Sequence, residues 1–270
     1  MPTEPPGSTP PPRYLSHAIA GAYREEAERQ LLQRILAAPV PRHLAIIMDG
    51  NRRFAASHGL LVSEGHLHGR EKLEELLNWC LEVGIRILTV YALSTENLKR
   101  PPEELDELMR LFAQGFRDIA VDERVHTHKI RVRAIGNRGV LPADVQEAIR
   151  VAEAATASYD QYFYNVAIAY GGREEILEAI RELAHEVQDG KLEPDSIGEQ
   201  TVAQHLYTAE LPDPDLILRT SGEERISNFL LWQSAYAELY FADVMWPGLS
   251  RLDFFRALRA FQERQRRYGT

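Results

Sequence analysis

The chain has 270 residues with 31 Lys+Arg against 40 Asp+Glu, a formal net charge of −9, which argues against a partner that is nucleic acid, because binders of that class carry a basic surplus. At 44% hydrophobic and 26% charged it is a folded chain rather than a disordered or collagen-like one, and its length suits one domain plus a tail. One cysteine, Cys80, can make neither an internal disulfide nor a thiolate zinc cage, so a cytoplasmic, reducing setting and a core position are expected.

Six of the 15 prolines fall in MPTEPPGSTPPP, and residues 1–22 read as a solvated, disordered tail without an apolar leader core. Residues 23–40 read as an amphipathic helix, with Ala27, Leu31, Leu32, Ile35 and Leu36 on one face and Pro39 and Pro41 at its end. In 41–270 the pattern alternates. Apolar runs too short for helices occur at 44–48, 86–93, 130–135, 164–169, 215–219 and 237–241, and helical patterns occupy 67–82, 102–122, 142–157, 173–188 and 252–266. The expected fold is α/β: a single domain with a central, largely parallel six-stranded sheet flanked by helices. No uncharged apolar run approaches the ~20 residues of a membrane-spanning helix.

Ligands of open parallel sheets bind where the loops leave the carboxyl ends of the strands. Three such exits are alike: Asp49-Gly50-Asn51-Arg52-Arg53, Ser94 to Arg100, and Arg219 to Arg225 each combine arginine with small polar groups and a carboxylate. Guanidinium forks suit phosphate oxygens, and Mg²⁺ takes one or two carboxylates together with phosphate and water. A single exit of this kind reads equally well as a solvated loop with surface ion pairs; three in one sheet do not. The glycine cradles of P-loop and dinucleotide folds are missing, as is the D-D-x-x-D pair of trans-prenyltransferases.

HLAIIMDGNRRFA (43–55), EGHLHG (64–69), TVYALSTENLKRP (89–101), NVAIAYGGREEI (165–176) and DLILRTSGEERISNFLLWQSAYAELYF (215–241) resemble, in order and spacing, the cis-prenyltransferase family, which includes undecaprenyl diphosphate synthase. The resemblance spans about residues 40–270 and has the look of the archaeal and dolichol-type members. It implies a Mg²⁺-dependent transferase that adds isopentenyl diphosphate repeatedly to an allylic diphosphate, geranylgeranyl or farnesyl, to make a long polyprenyl diphosphate for a glycan carrier lipid. It also implies an apolar tunnel for the chain, a homodimer, and at most transient peripheral membrane contact.

Carried over residue by residue, Asp49 matches the essential aspartate that handles the metal and the leaving diphosphate. Gly50, Asn51, Arg52, Arg53 and Phe54 match its loop, and His66 a histidine near the same diphosphate. Ser94, Thr95, Glu96, Asn97, Leu98 and Arg100 match the S-x-E-N region, with Asn97 placed to assist proton removal. Arg219, Arg225, Ile226 and Ser227 match the isopentenyl diphosphate site, and Glu238 a second metal carboxylate. Among apolar neighbours Glu238 also needs a metal or an arginine partner. Trp232 and Tyr236 read as core. Arg267-Tyr268-Gly269 matches a tail that reaches a partner subunit's site. Val62 stands where the family often has arginine, so one diphosphate contact is either missing or supplied by Arg52, His68 or Arg70, and Asn137 replaces a common aspartate. The tunnel is expected along Ala92, Leu108, Met109 and Phe112, with the Tyr162 ring near its floor. Two rival readings are a non-catalytic accessory subunit of the same family and a phosphatase or nucleotide-dependent enzyme on a similar sheet.

Overall fold

The structure is a computed structural model that describes residues 13–265, with side chains from 25 to 264. The segment 1–12 and the Arg267-Tyr268-Gly269 motif lie outside the described residues. In chain order the strands are β1 (His43–Ile47), β2 (Ile87–Tyr91), β3 (Ile130–Ile135), β4 (Tyr162–Ala167), β5 (Leu216–Arg219) and β6 (Glu238–Phe241). The helices are α1 (Arg13–Leu36), α2 (Asn51–His58), α3 (Val62–Val83), α4 (Pro102–Ile119), α5 (Glu123–Thr127), α6 (Ala143–Thr156), α7 (Gly172–Gln188), α8 (Glu199–Ala203) and α9 (Arg251–Gln265).

The predicted strands pair, all parallel, into one six-stranded sheet of order β3-β4-β2-β1-β5-β6. Their unbroken apolar runs follow from burial on both faces: every residue of β1 and β2 is buried. Leu44, Ile46, Val90, Tyr164 and Val166 face a core completed by α3, α4, α6 and α9, whereas Ala45, Ile47, Ala167 and Ile217 face a second core with Tyr170, Phe229 and Leu230. Cys80 is buried in the first core, as expected, and burial pushes its thiol pKa up.

Several expectations are corrected. Residues 13–22, assigned to the tail, are helical in α1, because no proline separates Pro12 from Pro39 and the stretch between is rich in helix formers. At the end of α1, Gln262 Nε2 donates to the carbonyls of Ile35, Ala38 and Pro39 at 2.9, 3.0 and 3.1 Å, satisfying groups that a helix end leaves open. The helix predicted over 102–122 stops at Ile119, and Asp122 caps α5 by accepting from Arg124 N at 2.8 Å. Tyr236 is not core: residues 231–236 form turns rather than a packed helix, and Tyr236 is 98% exposed with Trp232 half-buried. Asn137 accepts from Gly139 N at 3.1 Å, a local turn contact that tolerates the departure from aspartate.

Candidate active site

The site begins where β1 ends. Gly50 has φ +112°, and a Cβ there would stand 3.0 Å from both Met245 Cα and Ser221 Oγ, so only glycine turns the chain tightly enough to start α2 at Asn51. Asp49 precedes this turn. Thr220 holds its backbone from both sides, its hydroxyl accepting from Asp49 N at 3.0 Å and donating to Asp49 O at 2.7 Å. Trp246 N donates to the same carbonyl at 2.9 Å, while the buried Trp246 indole donates to Gly69 O at 2.7 Å. With its backbone fixed, the Asp49 carboxylate accepts from Arg219 Nη2 at 2.8 Å and Arg53 Nη2 at 3.2 Å.

Arg219, the last residue of β5, is 4% exposed. Its second amino group donates to Ser227 Oγ at 2.8 Å and to Arg225 O, so it also folds the 220–227 loop back over the strand end. Its Nε is buried without a partner among the described residues, and a donor left open beside a cleft suits an anion. Ser221, Gly222, Ser227 and Asn228 all adopt positive φ here, backbone strain of the kind held at sites that must present groups in one geometry. Asn228 ties the loop down: its side-chain oxygen accepts from Arg173 N at 2.9 Å, its carbonyl from Gly172 N at 2.7 Å, and its amide donates to Glu96 at 3.3 Å.

The third exit follows β2. Ser94 bridges to Tyr170, and Asn97 N donates to Ser94 Oγ at 3.2 Å, which turns Glu96–Lys99 into a single 3₁₀ turn. Burial works against the charge of Glu96, yet hydrogen bonds from its own backbone N–H, Ser94, Asn228 and Thr95 keep its carboxyl below the usual value. His66 Nε2 donates to Glu104 at 3.2 Å, and Arg100 Nη1 donates to the same oxygen at 3.1 Å. Burial, with Arg100 and Arg52 nearby, lowers the His66 pKa despite Glu104, so the imidazole is neutral near pH 7. Because the Glu104 carboxylate only accepts, the proton sits on Nε2, and Asn51 Nδ2 lies 3.5 Å from the unprotonated Nδ1. Four arginines, 52, 53, 100 and 219, thus pair with Asp49 and Glu104 at one opening, and Glu223 links Arg53 to the outward-turned Arg225.

That opening leads into a cavity of about 1210 Å³. Asp49, Asn51, Arg52, Arg53, His66, Ser94, Glu96, Asn97, Arg100, Arg219 and Ser227 line its polar mouth. Leu73, Leu77, Leu108, Phe112, Val90 and Val166 line its length, and Ile130 and Tyr164 lie at the far end, near where β3 and β4 begin. Of the tunnel residues anticipated, Ala92, Leu108 and Phe112 line it, whereas Met109 is buried in the core beside it. Tyr162 does not line it; its ring packs edge-on against His128 at 6.3 Å, and Tyr164, two positions on and on the same face, occupies the cavity end.

Not every matched residue reaches the mouth. Phe54 stacks on His58 at 4.1 Å, Leu98 packs on the first core and Ile226 on the second, and the Thr95 hydroxyl donates to Glu96 at 3.4 Å. Arg225 is turned outward onto Glu223. Of the substitutes for an arginine at 62, Arg70 pairs with Asp118 and His68 with Glu71, which leaves Arg52 at the mouth. Glu238 is the first residue of edge strand β6, in register with Leu216 at the opposite end of the sheet from Asp49, and its partner is Arg264 at 2.9 Å. Within one chain it is not brought to the mouth. Glu104, Thr220, Trp246 and Asn228 were not singled out from sequence; acidic Glu104 in the first turn of α4, after Arg100-Pro101-Pro102, was the one available signal.

No cluster of three metal-ligating side chains occurs among the described residues. The donor set nevertheless fits Mg²⁺ carried by a diphosphate, because that ion needs only one or two carboxylates besides phosphate and water, and Asp49 presents one at an arginine-walled mouth.

A prenyltransferase family model described as undecaprenyl diphosphate synthase matches residues 47–269. The chain is 54% identical over 242 residues to a tritrans,polycis-undecaprenyl-diphosphate synthase (geranylgeranyl-diphosphate specific) of Methanopyrus kandleri, covering 90% of this chain and 89% of that protein. A protein of the same name from Thermoplasma acidophilum is 52% identical over 255 residues, covering 94% and 99%. The crystal structure of lavandulyl diphosphate synthase from Lavandula x intermedia in complex with dimethylallyl diphosphate superposes with a TM-score of 0.79 at 40% identity, covering 83% of this chain and 95% of that one. The chain therefore belongs to the cis-prenyltransferase family and is a prenyl-transferring enzyme.

Proposed function

We propose that this enzyme extends geranylgeranyl diphosphate by successive cis additions of isopentenyl diphosphate to a polyprenyl diphosphate of the undecaprenyl class. The observation that carries this is the Asp49 carboxylate, gripped by Arg219 and Arg53 at the mouth of a deep apolar cavity. The preference for geranylgeranyl over farnesyl diphosphate rests on the names of the archaeal relatives.

Each addition breaks the allylic C–O bond, joins the allylic carbon to the terminal alkene carbon of isopentenyl diphosphate, and releases one proton. Mg²⁺, when bound with the diphosphate, would neutralise charge building on the leaving group. Asp49 would hold it there. Arg53, Arg52 and the amides at the start of α2 present positive ends to the departing diphosphate. Arg219 Nε and the Ser227 hydroxyl, whose oxygen already accepts from Arg219, are free to donate to the second diphosphate. Asn97, which lines the same mouth, would orient the isopentenyl group for loss of its proton, which the departing diphosphate can accept. Asp49 and Glu104 would yield these arginines to a diphosphate of higher charge. The prenyl chain enters the cavity, where burying each five-carbon unit contributes on the order of 3 kcal/mol, so growth continues while room remains.

A homodimer is supported by the open edge of β6, by Tyr236 at 98% exposure, and by exposed Leu177 and Ile180 on α7. Glu238, on that edge, would serve a metal only in a site completed by a second copy. Among the described residues no helix is long and apolar enough to cross a membrane. Lipid contact is proposed at the α2–α3 corner, where Leu61, Val62 and Leu67 are exposed and Val62 also lines the cavity.

The test is incubation of the purified protein with labelled isopentenyl diphosphate, Mg²⁺ and each allylic diphosphate in turn. Long polyprenyl product, fastest from geranylgeranyl diphosphate, is expected. A folded protein that yields none with any starter would be the accessory subunit instead.

A further inference from the structure

The cavity has charged lining at a second place, which starts one turn of α3 beyond His66 and runs away from the mouth. Between α3 and α4, Arg70, Glu74 and Asn78 on one side face Asp118 and, from α5, Arg124 on the other. Charged side chains do not line a closed apolar pouch, where desolvation would be costly; they stand where a cavity meets water. Here they are partly solvated, the side chains of Glu74, Asp118 and Arg124 being 52%, 47% and 41% exposed. Two sets of contacts cross the gap: Arg70 to Asp118, and Arg124, held on its own side by Asp122 at 2.6 Å, to Asn78 at 3.3 Å and Glu74 at 3.8 Å. Beside them Gly115 of α4 lines the cavity, and nothing lies within 4 Å of where its Cβ would stand. Beside Gly115 the seam is therefore bridged by ion pairs.

We infer that the seam between α3 and α4 is a lateral outlet for the growing prenyl chain, latched by Arg70–Asp118 and by Arg124 on Glu74, and that the latch sets product length. The inference rests on the chain-elongating function proposed above. Partly exposed ion pairs contribute little and are weakened by salt, whereas every added unit brings apolar surface that water rejects. At the far end, Ile130 and Tyr164 are buried in the core, and displacing them would open a void. A chain that has filled the cavity parts the seam before it displaces that end, and the exposed tail then meets solvent or lipid.

The experiment compares product lengths from labelled isopentenyl diphosphate for four variants, none of which touches the mouth. Asp118→Asn and Arg124→Gln should each lengthen the product by at least one unit at an unchanged rate of first addition. Gly115→Leu, which fills the gap, should shorten it. Exchanging the charges in Arg70→Asp/Asp118→Arg should restore the wild-type length, which a merely loosened fold would not do. Thermal melting confirms folding of each variant. Normal elongation whose length ignores all four changes overturns the outlet; absence of product from the wild-type protein instead overturns the function on which it rests, and the outlet with it.

Discussion

Arg219 Nη2 donates to Asp49 Oδ2 at 2.8 Å, joining two residues 170 positions apart in sequence. Parallel pairing makes this contact possible: Ile47 and Arg219 stand opposite each other in β1 and β5, so Asp49 lies just beyond the strand end beside the Arg219 side chain. Because Arg219 is buried, the pair is screened less than a surface one. Its other amino group, Nη1, holds the Arg225–Ser227 turn, so one guanidinium sets the spacing of two anion-binding loops.

The position of those loops depends on how closely α2 approaches α3. A Cβ on Gly65 would stand 2.5 Å from Asn51 O and 2.9 Å from Ala55 Cβ, and one on Gly69 would stand 2.5 Å from Asn51 Oδ1. Gly65→Ala should therefore push α2 outward, lower stability by about 1–3 kcal/mol, and raise the KM for the allylic diphosphate more than that for isopentenyl diphosphate. Calorimetry and steady-state kinetics check both; an unchanged melting temperature would contradict the close approach.

The end of the cavity gives a second prediction. Tyr164→Ala should lengthen the product, since it removes a ring that lines the cavity, whereas Tyr162→Ala should leave length alone. Chromatography of the dephosphorylated products separates the two. The reverse outcome would place the end of the cavity at Tyr162.

Much of this was legible in the sequence. Strands buried on both faces read as unbroken apolar runs, and ligands of parallel sheets gather at strand exits, so the six strands and the loops that bring Asp49, Asn97 and Arg219 to one cavity could be found before any fold was known. Depth along a strand was not legible. Tyr162 and Tyr164 share a face, and only the packing of His128 against the first tells which meets the cavity. Glu238 is similar: its need for a partner could be read, and Arg264 supplies it, but its place at the start of β6 depends on register with β5. Glu104 becomes meaningful only when folding brings His66 and Arg100 to it.

His43 makes the fold sensitive to acid. Pro212 O can only accept, so the proton sits on Nδ1, 2.7 Å away, and Nε2 accepts from the Thr89 hydroxyl at 2.8 Å. Thr89 in turn accepts from Asn165 Nδ2 at 3.0 Å. Burial lowers the His43 pKa from 6.5 to about 4. Below pH 6.5 the unfolded chain takes up a proton that the folded one refuses. Stability should thus fall as pH drops from about 6.5 to about 4 and level off below, by roughly 3 kcal/mol in all. Glu175, whose pKa burial raises, works in the opposite direction and stabilises the fold at low pH. Denaturant midpoints for the wild type and His43→Leu should diverge most at neutral pH and converge towards pH 4; parallel curves would contradict the network.

The most direct test of the site is single-turnover addition of one isopentenyl unit to geranylgeranyl diphosphate by Asp49→Asn, with Mg²⁺ saturating. Asparagine keeps the shape and loses the charge, so the melting temperature should move little while the rate falls by about a hundredfold or more, the loss typical of one electrostatic group at a reacting centre. A rate within a few-fold of the wild type would contradict the role assigned to Asp49.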